Sequence, residues 1–97
     1  MTAKLIFKLY MISKSVVYSE NAPEPIGPYS QAIQAGNILF VSGQIAIQRA
    51  TGKIITATIE EETNQVMENL GAVLNAAGMN FSNIVKTSIF LKDMNNF

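Results

Sequence analysis

The chain has 97 residues, of which 48% are hydrophobic and 14% charged, and its seven Lys/Arg balance its seven Asp/Glu. This length predicts one domain. The charged fraction lies below the roughly 25% of typical globular chains, which predicts either surface buried against other subunits or a missing part of the molecule. Without cysteine or histidine, the chain can form no disulfide or zinc–thiolate site and lacks the commonest general base. It has no cluster of Lys or Arg, so we expect no nucleic acid partner.

Residues 1–10 are apolar but are interrupted by Lys4 and Lys8. The apolar run is too short for a membrane span, which needs about 20 residues, and no small-x-small cleavage site of a signal peptide follows it. We therefore interpret Met11 as the natural start, residues 1–10 as an upstream or non-native extension, and residues 11–97 as the domain. We expect a cytoplasmic protein with no membrane partner.

The first predicted elements are a strand and a stiff loop. Residues 15–18 are β-branched and aromatic, which is typical of a strand. Pro23, Pro25 and Pro28 then preclude a helix and predict an extended loop that positions its side chains at low entropic cost.

The next segment predicts a β-hairpin. Residues 31–35 and 38–41 are strand-like, and Gly36 and Asn37 between them tolerate the positive φ that tight turns require. The continuous apolar run Ile38–Val41 predicts a strand buried on both faces, which we expect to continue through Gly43 to Ile47. Residues 51–53 predict a turn and residues 54–55 a further short strand.

The clearest helix begins after Thr58. Thr58 and Glu61 match a capping box, and the acidic run 60–62 lies near the positive end of the helix dipole, so we interpret these carboxylates as structural rather than as an acid/base cluster. Gly78 predicts the end of the helix. Apolar residues at helical spacing predict its buried stripe: Ile59, Val66, Met67, Leu70, Val73, Leu74 and Ala77. We interpret Met67 and Met79 as core residues.

Residues 84–91 alternate in side-chain character and predict a last strand. A helix lying on one face of a largely antiparallel sheet is an α+β layer architecture. One helix cannot cover four or five strands well, so the predicted fold looks incomplete.

Two segments offer candidate functional groups. Tyr29 is either a phenol at a pocket rim or a residue that anchors its loop to the sheet. Ser42-Gly43-Gln44 interrupts a predicted strand. Gly43 there either bares the backbone for a ligand, with the Ser42 hydroxyl beside it, or marks a β-bulge or a tight packing contact.

These segments, with several others in the same order, resemble the RidA (YjgF) family of imine deaminases. The matching residues are 20–23 (Glu-Asn-Ala-Pro), 26–31 (Ile-Gly-Pro-Tyr-Ser-Gln), 42–44 (Ser-Gly-Gln), 51–52 (Thr-Gly), 76–78 (Ala-Ala-Gly), 84–87 (Ile-Val-Lys-Thr) and 90–93 (Phe-Leu-Lys-Asp). The resemblance covers nearly the whole chain from Ser13 onward.

The resemblance implies a chorismate-mutase-like α+β fold, with a mixed, largely antiparallel sheet and helices on one face. It also implies a homotrimer with clefts between subunits, and hydrolysis of 2-imino acids released by pyridoxal-phosphate enzymes, without metal or organic cofactor. Carried onto this chain, Tyr29 matches the substrate-binding tyrosine, Ser42 the pocket serine, and Gly43 the glycine whose carbonyl faces the reacting nitrogen or water. Ser42 and Gly43 are thus the candidate catalytic residues.

The chain departs from the family pattern at its end. The family's catalytic arginine, a late glutamate, a pocket asparagine, the second helix and the final strand all follow the position that matches Phe97. Arg49, the only arginine, does not match the catalytic one. We therefore expect a C-terminally truncated chain with impaired activity. A non-enzymatic ligand-binding or chaperone-like trimer is the alternative, and an endoribonuclease is disfavoured by the zero net charge.

Overall fold

The computed structural model describes residues 13–97, so the expectations for residues 1–10 and for Met11 as the start lie outside the described residues. Three strands form an antiparallel sheet in the order β1-β2-β3, and a helix of 18 residues follows them. The elements are β1 (Lys14–Val17), β2 (Ala32–Ala35), β3 (Ile38–Val41), α1 (Ile59–Ala76) and 3₁₀ turns at Phe81–Asn83 and Met94–Asn96. This arrangement confirms the α+β class.

The β2–β3 hairpin has the predicted two-residue turn. Ala35 pairs with Ile38, and the chain reverses through Gly36 and Asn37. Gly36 has a φ of 60°, the left-handed region that glycine enters without steric cost.

The two faces of the sheet differ in burial. The row Val17, Ala32 and Val41 lies across the three strands, and Val17 and Ala32 pack with Val73 of α1 in the core. The expectation that Ile38–Val41 is buried on both faces is wrong, because Ile38 is 55% and Phe40 62% exposed. The helix covers one face only, so alternate residues of β3 stay open.

Helix α1 begins as predicted. The Thr58 hydroxyl accepts a hydrogen bond of 3.1 Å from the Glu61 amide, and all three glutamates of the first turn lie at the positive end of the dipole. Gly78, with a φ of 73°, follows the helix. These features confirm the Thr58 N-cap, the position of residues 60–62 in the first turn and the stop at Gly78, whereas the second bond of a capping box, from the Thr58 amide to the Glu61 carboxylate, is not formed.

The buried stripe of α1 differs from the predicted one. Val73 and Leu74 are buried, but Met67 is 42% exposed, so its assignment to the core is wrong. The buried positions Gln65, Asn69 and Val73 are spaced by four residues, which places them on one face. Met67 lies two positions from this stripe and therefore points away from it.

Two predicted strands are absent. β3 ends at Val41, so the continuation through Gly43 to Ile47 is wrong, and Gly43 does not interrupt a strand. Ile47 instead forms a single antiparallel bridge with Ile54, the remnant of the strand predicted at residues 54–55.

Residues 84–91 form no strand either, and Val85 is 98% and Phe90 94% exposed. The alternating pattern needs a neighbouring strand to pair with, and none within residues 13–97 pairs with it. In the described part of the chain, no helix has the length and apolar character that a bilayer crossing requires.

Candidate functional site

A shallow cleft lies between the proline loop, residues 23–29, and the cleft segment, residues 43–47. Four of the lining side chains are apolar, and four carry hydrogen-bonding or charged groups. Gly43 contributes only its backbone. The lining residues are Pro23, Ile26, Ile45 and Ile47, with Glu24, Tyr29, Gln31, Gln44 and Gly43. Such a mixture suits a small ligand with an apolar side chain and a few polar atoms.

The proline loop is fixed by Gln31 at the entrance to β2. This side chain is only 3% exposed. Its Nε2 donates to the carbonyls of Pro23 at 2.9 Å and Ser19 at 3.1 Å, and its Oε1 accepts from the Ser19 amide at 2.6 Å. Because a buried amide with all these partners has one favourable orientation, Gln31 holds the loop in register with the sheet.

The cleft segment is fixed from the other side by α1. Asn69, 1% exposed, donates from Nδ2 to the carbonyls of Ile45 and Ile47, each at 2.9 Å. Gln65 Nε2 in turn donates to Asn69 Oδ1 at 3.0 Å. Sequence reasoning missed this pair, although two polar residues in line with Val73 on a helix were a usable signal.

Tyr29 and Gly43 both line this cleft. Tyr29 is 51% exposed, and its hydroxyl accepts a 3.3 Å hydrogen bond from the Ile26 amide. No heavy atom lies within 4 Å of the position that a Cβ would occupy at Gly43. Gly43 is also not among the glycines with positive φ. Neither close packing nor backbone conformation within the described residues therefore requires a glycine at position 43.

Ser42 is placed differently. Its hydroxyl donates to the Ser30 carbonyl at 2.5 Å, and its amide donates to the Gln31 carbonyl at 2.9 Å. Ser42 does not line the cleft. In this arrangement its side chain joins the residue after β3 to Ser30, which lies between the proline loop and β2.

A charged cluster lies at the rim of the cleft. Arg49 Nη2 is 2.8 Å from Glu24 Oε1, and Arg49 Nη1 donates to the Ala22 carbonyl at 2.8 Å. The Tyr18 hydroxyl donates to the same Glu24 oxygen. The hydrogen bond from Tyr18, followed by that from Arg49, lowers the pKa of Glu24 below its ordinary value of 4.5. The hydrogen bonds that Arg49 makes with Tyr18 and then with Glu24 raise the pKa of Arg49.

Within residues 13–97, no three His, Cys, Asp or Glu side chains come together as metal ligands would. The cleft offers instead the Tyr29 phenol, the Gln44 amide, the Glu24 carboxylate and an open backbone at Gly43, because the Gln31 amide is already bonded to the proline loop and Ser19. These groups can orient a small polar molecule and a water by hydrogen bonds.

The family described as Endoribonuclease L-PSP matches residues 19–97. A RutC family protein of Pyrococcus horikoshii is 54% identical over 84 residues, which cover 87% of this chain and 67% of that protein. The chain belongs to the RidA family. Its mouse relative, 2-iminobutanoate/2-iminopropanoate deaminase, is 42% identical over 86 residues, covering 89% of this chain and 64% of the mouse protein.

A solved structure of a Rid family protein from Yersinia pestis superposes with a TM-score of 0.84 at 50% identity, covering 87% of this chain and 67% of that one. This likeness confirms the RidA fold. The chain spans about two thirds of the length of these RidA-family proteins.

Proposed function

We propose that this chain takes part in the hydrolytic deamination of 2-imino acids to 2-oxo acids and ammonia, the kind of reaction for which its mouse relative is named. The observation that carries the proposal is the shared cleft of Tyr29 and Gly43, the two residues that match the family's substrate-binding positions. The substrates we expect are imines and enamines released by pyridoxal-phosphate enzymes.

The chemistry needs a water and no cofactor. Water adds to the imine carbon, the carbon–nitrogen bond breaks, and the nitrogen leaves as ammonia while the carbon becomes a carbonyl. Tyr29 would position the substrate, and the open backbone of Gly43 would accept a hydrogen bond from the water or the reacting nitrogen. Holding the two reactants in contact removes much of the entropic cost of the encounter. Ser42 would act through its bond to Ser30, which fixes the loop that carries Tyr29.

The substrate carboxylate needs a cationic partner, and an arginine fork binds a carboxylate best. Arg49, the only arginine of the sequence, does not line the cleft and is paired with Glu24. We therefore propose that turnover at full rate requires the arginine that the family pattern places after the position matching Phe97, and that the chain of residues 1–97 is slow on its own.

The experiment uses 2-iminobutanoate, generated in situ from threonine by threonine dehydratase, and follows its decay above the spontaneous rate. Three proteins are compared: the chain itself, the chain extended by the last third of the mouse relative, and the extended chain with Tyr29→Phe. We expect the extended chain to accelerate the decay. In the extended chain, Tyr29→Phe should reduce this acceleration about threefold to tenfold, because one hydroxyl hydrogen bond is lost. The matched control is Asn64→Ala on the exposed side of α1. No acceleration by either wild-type form would contradict the proposal.

We also infer that the chain assembles as a homotrimer in the cytoplasm. Support for assembly comes from the open face of the sheet, where Val16, Ile33 and Phe40 form a row across the strands and two of them are more than 60% exposed. An apolar face of this kind is typical of a subunit contact. Native mass spectrometry should give three times the 10.6 kDa chain mass. Phe40→Lys should dissociate the trimer into smaller species, whereas Thr56→Lys, outside the sheet, should leave the trimer intact.

The alternative is a trimer that binds small ligands without turning them over. It predicts binding of 2-oxo acids with no imine hydrolysis, even in the extended form. Ribonuclease activity, which the family description names, is disfavoured by the zero net charge, because phosphate backbones are bound chiefly by Lys and Arg. RNA binding that weakens steeply with salt would reverse that judgement.

A further inference from the structure

We infer that Arg49 determines the charge selectivity of the cleft: by neutralising Glu24 it allows an anionic ligand to enter. Arg49 is thus a specificity residue that acts through Glu24 rather than by touching the ligand. The inference rests on the proposed function only for the choice of a 2-oxo or 2-imino acid as the ligand.

The charge at the cleft comes from one residue. Among the described residues that line the cleft, Glu24 is the only one with a formal charge at neutral pH. A substrate carboxylate entering the cleft therefore meets a like charge at the rim. Two like charges about 6 Å apart in a wet cleft repel enough to weaken binding severalfold.

Arg49 is placed to cancel this charge. Its Nη2 lies 2.8 Å from Glu24 Oε1, and its Nη1 is held by the Ala22 carbonyl at 2.8 Å, so the guanidinium has a defined position beside the carboxylate. The pair is partly exposed, with side-chain exposures of 30% for Arg49 and 58% for Glu24. Such a pair adds little to stability, so an electrostatic role at the cleft is the larger consequence of its position.

Glu24 keeps its charge without Arg49. The Tyr18 hydroxyl donates to the same carboxylate oxygen, and that hydrogen bond is the larger cause of the lowered pKa of Glu24. Removal of Arg49 therefore leaves an ionised, unpaired carboxylate at the rim rather than a neutral acid. This makes the effect of Arg49→Gln specific for anionic ligands.

The test measures dissociation constants by NMR titration for 2-oxobutanoate, which is anionic, and for 2-oxobutanamide, its neutral analogue. At low ionic strength, Arg49→Gln should weaken 2-oxobutanoate binding about threefold to tenfold and leave 2-oxobutanamide within about twofold. The difference should shrink as salt is added. The double variant Glu24→Gln/Arg49→Gln should restore binding of 2-oxobutanoate.

A matched control removes a positive charge from the same turn without touching Glu24. Lys53→Gln does this, because Lys53 is exposed and neither of the bonds that hold Glu24 involves it. It should leave both ligands within about twofold, because Lys53 neither lines the cleft nor pairs with Glu24.

Three results would overturn the inference. If Arg49→Gln weakens both ligands equally and the double variant restores neither, Arg49 is only a structural clamp. If Arg49→Gln changes neither ligand, Glu24 does not act on the cleft, although the proposed function would stand. Binding of neither ligand by the wild-type chain would also overturn the inference, whereas the proposed function is decided separately by imine hydrolysis with the extended chain.

Discussion

Asn69 on α1 lies 2.9 Å from the main-chain carbonyl of Ile45, and its buried amide thereby joins the helix to the segment that lines the cleft. A second bond of the same length goes from the same nitrogen to Ile47. The contact between the helix and the cleft segment is thus partly polar.

Replacement of Asn69 should destabilise the fold. Asn69→Leu removes two hydrogen bonds and leaves the partly buried carbonyl of Ile47 without this donor, whereas the Ile45 carbonyl still accepts from the Ile47 amide, so the loss should be about 1–3 kcal/mol in the free energy of unfolding. Urea unfolding followed by circular dichroism measures this loss. Asn64→Ala, on the exposed side of the same helix, should change it by less than about 0.5 kcal/mol. Equal effects of the two substitutions would show that the Asn69 bonds contribute nothing specific.

Gly43 should be dispensable for folding but not for ligand binding. A Cβ at this position meets no heavy atom within 4 Å, and its φ is not in the left-handed region. Gly43→Val should therefore change the free energy of unfolding by less than about 1 kcal/mol, while its side chain occupies the cleft and weakens 2-oxobutanoate binding at least about tenfold. A large loss of stability with unchanged binding would instead favour a packing role for this glycine.

Gly71 on α1 offers a test of packing outside the cleft. A Cβ there would lie 3.2 Å from Cζ of Phe81, the far end of a side chain that is 47% exposed and free to shift by a few tenths of an ångström. Because alanine is favoured over glycine inside helices by about 1 kcal/mol, Gly71→Ala should stabilise the chain by about 0.5–1 kcal/mol. A loss of stability that Phe81→Ala relieves in the double variant would show that the ring cannot move.

The Tyr18–Glu24–Arg49 cluster predicts a pH dependence of stability. The folded-state pKa of Glu24 lies below 4.5, so its contribution is present above that value and is lost as the pH falls through the folded-state pKa. The free energies of unfolding of wild type and Glu24→Gln should therefore differ above pH 4.5 and converge as the pH falls below it. Urea titrations at several pH values measure this difference. A difference that stays constant or grows as the pH falls would contradict a lowered pKa of Glu24 in the folded state.

Local features of the fold could be predicted from the sequence. Gly36-Asn37 fixed the hairpin register, and Thr58 with Glu61 fixed the start of α1, because both depend on residues a few positions apart. The prediction for residues 84–91 was wrong because a strand exists only where another strand pairs with it, and the alternation of side chains carries no information about that partner.

The candidate site could likewise be predicted only in part from the sequence. Family resemblance led to Tyr29 and Gly43, which the structure places on one cleft, and to Ser42, whose hydroxyl bonds to Ser30. The Asn69 bonds and the Glu24–Arg49 pair were not predicted, because each joins segments more than twenty residues apart. A polar residue on a buried helix stripe was the one signal available.

The measurement that tests the central claim most directly is an NMR titration of the ¹⁵N-labelled chain with 2-oxobutanoate. If the cleft is the ligand site, the amides of Tyr29, Gly43 and their neighbours in residues 23–29 and 43–47 should shift in a saturable way, while those of the exposed side of α1 stay in place. Shifts confined to other parts of the chain, or no saturable shift at all, would contradict the claim.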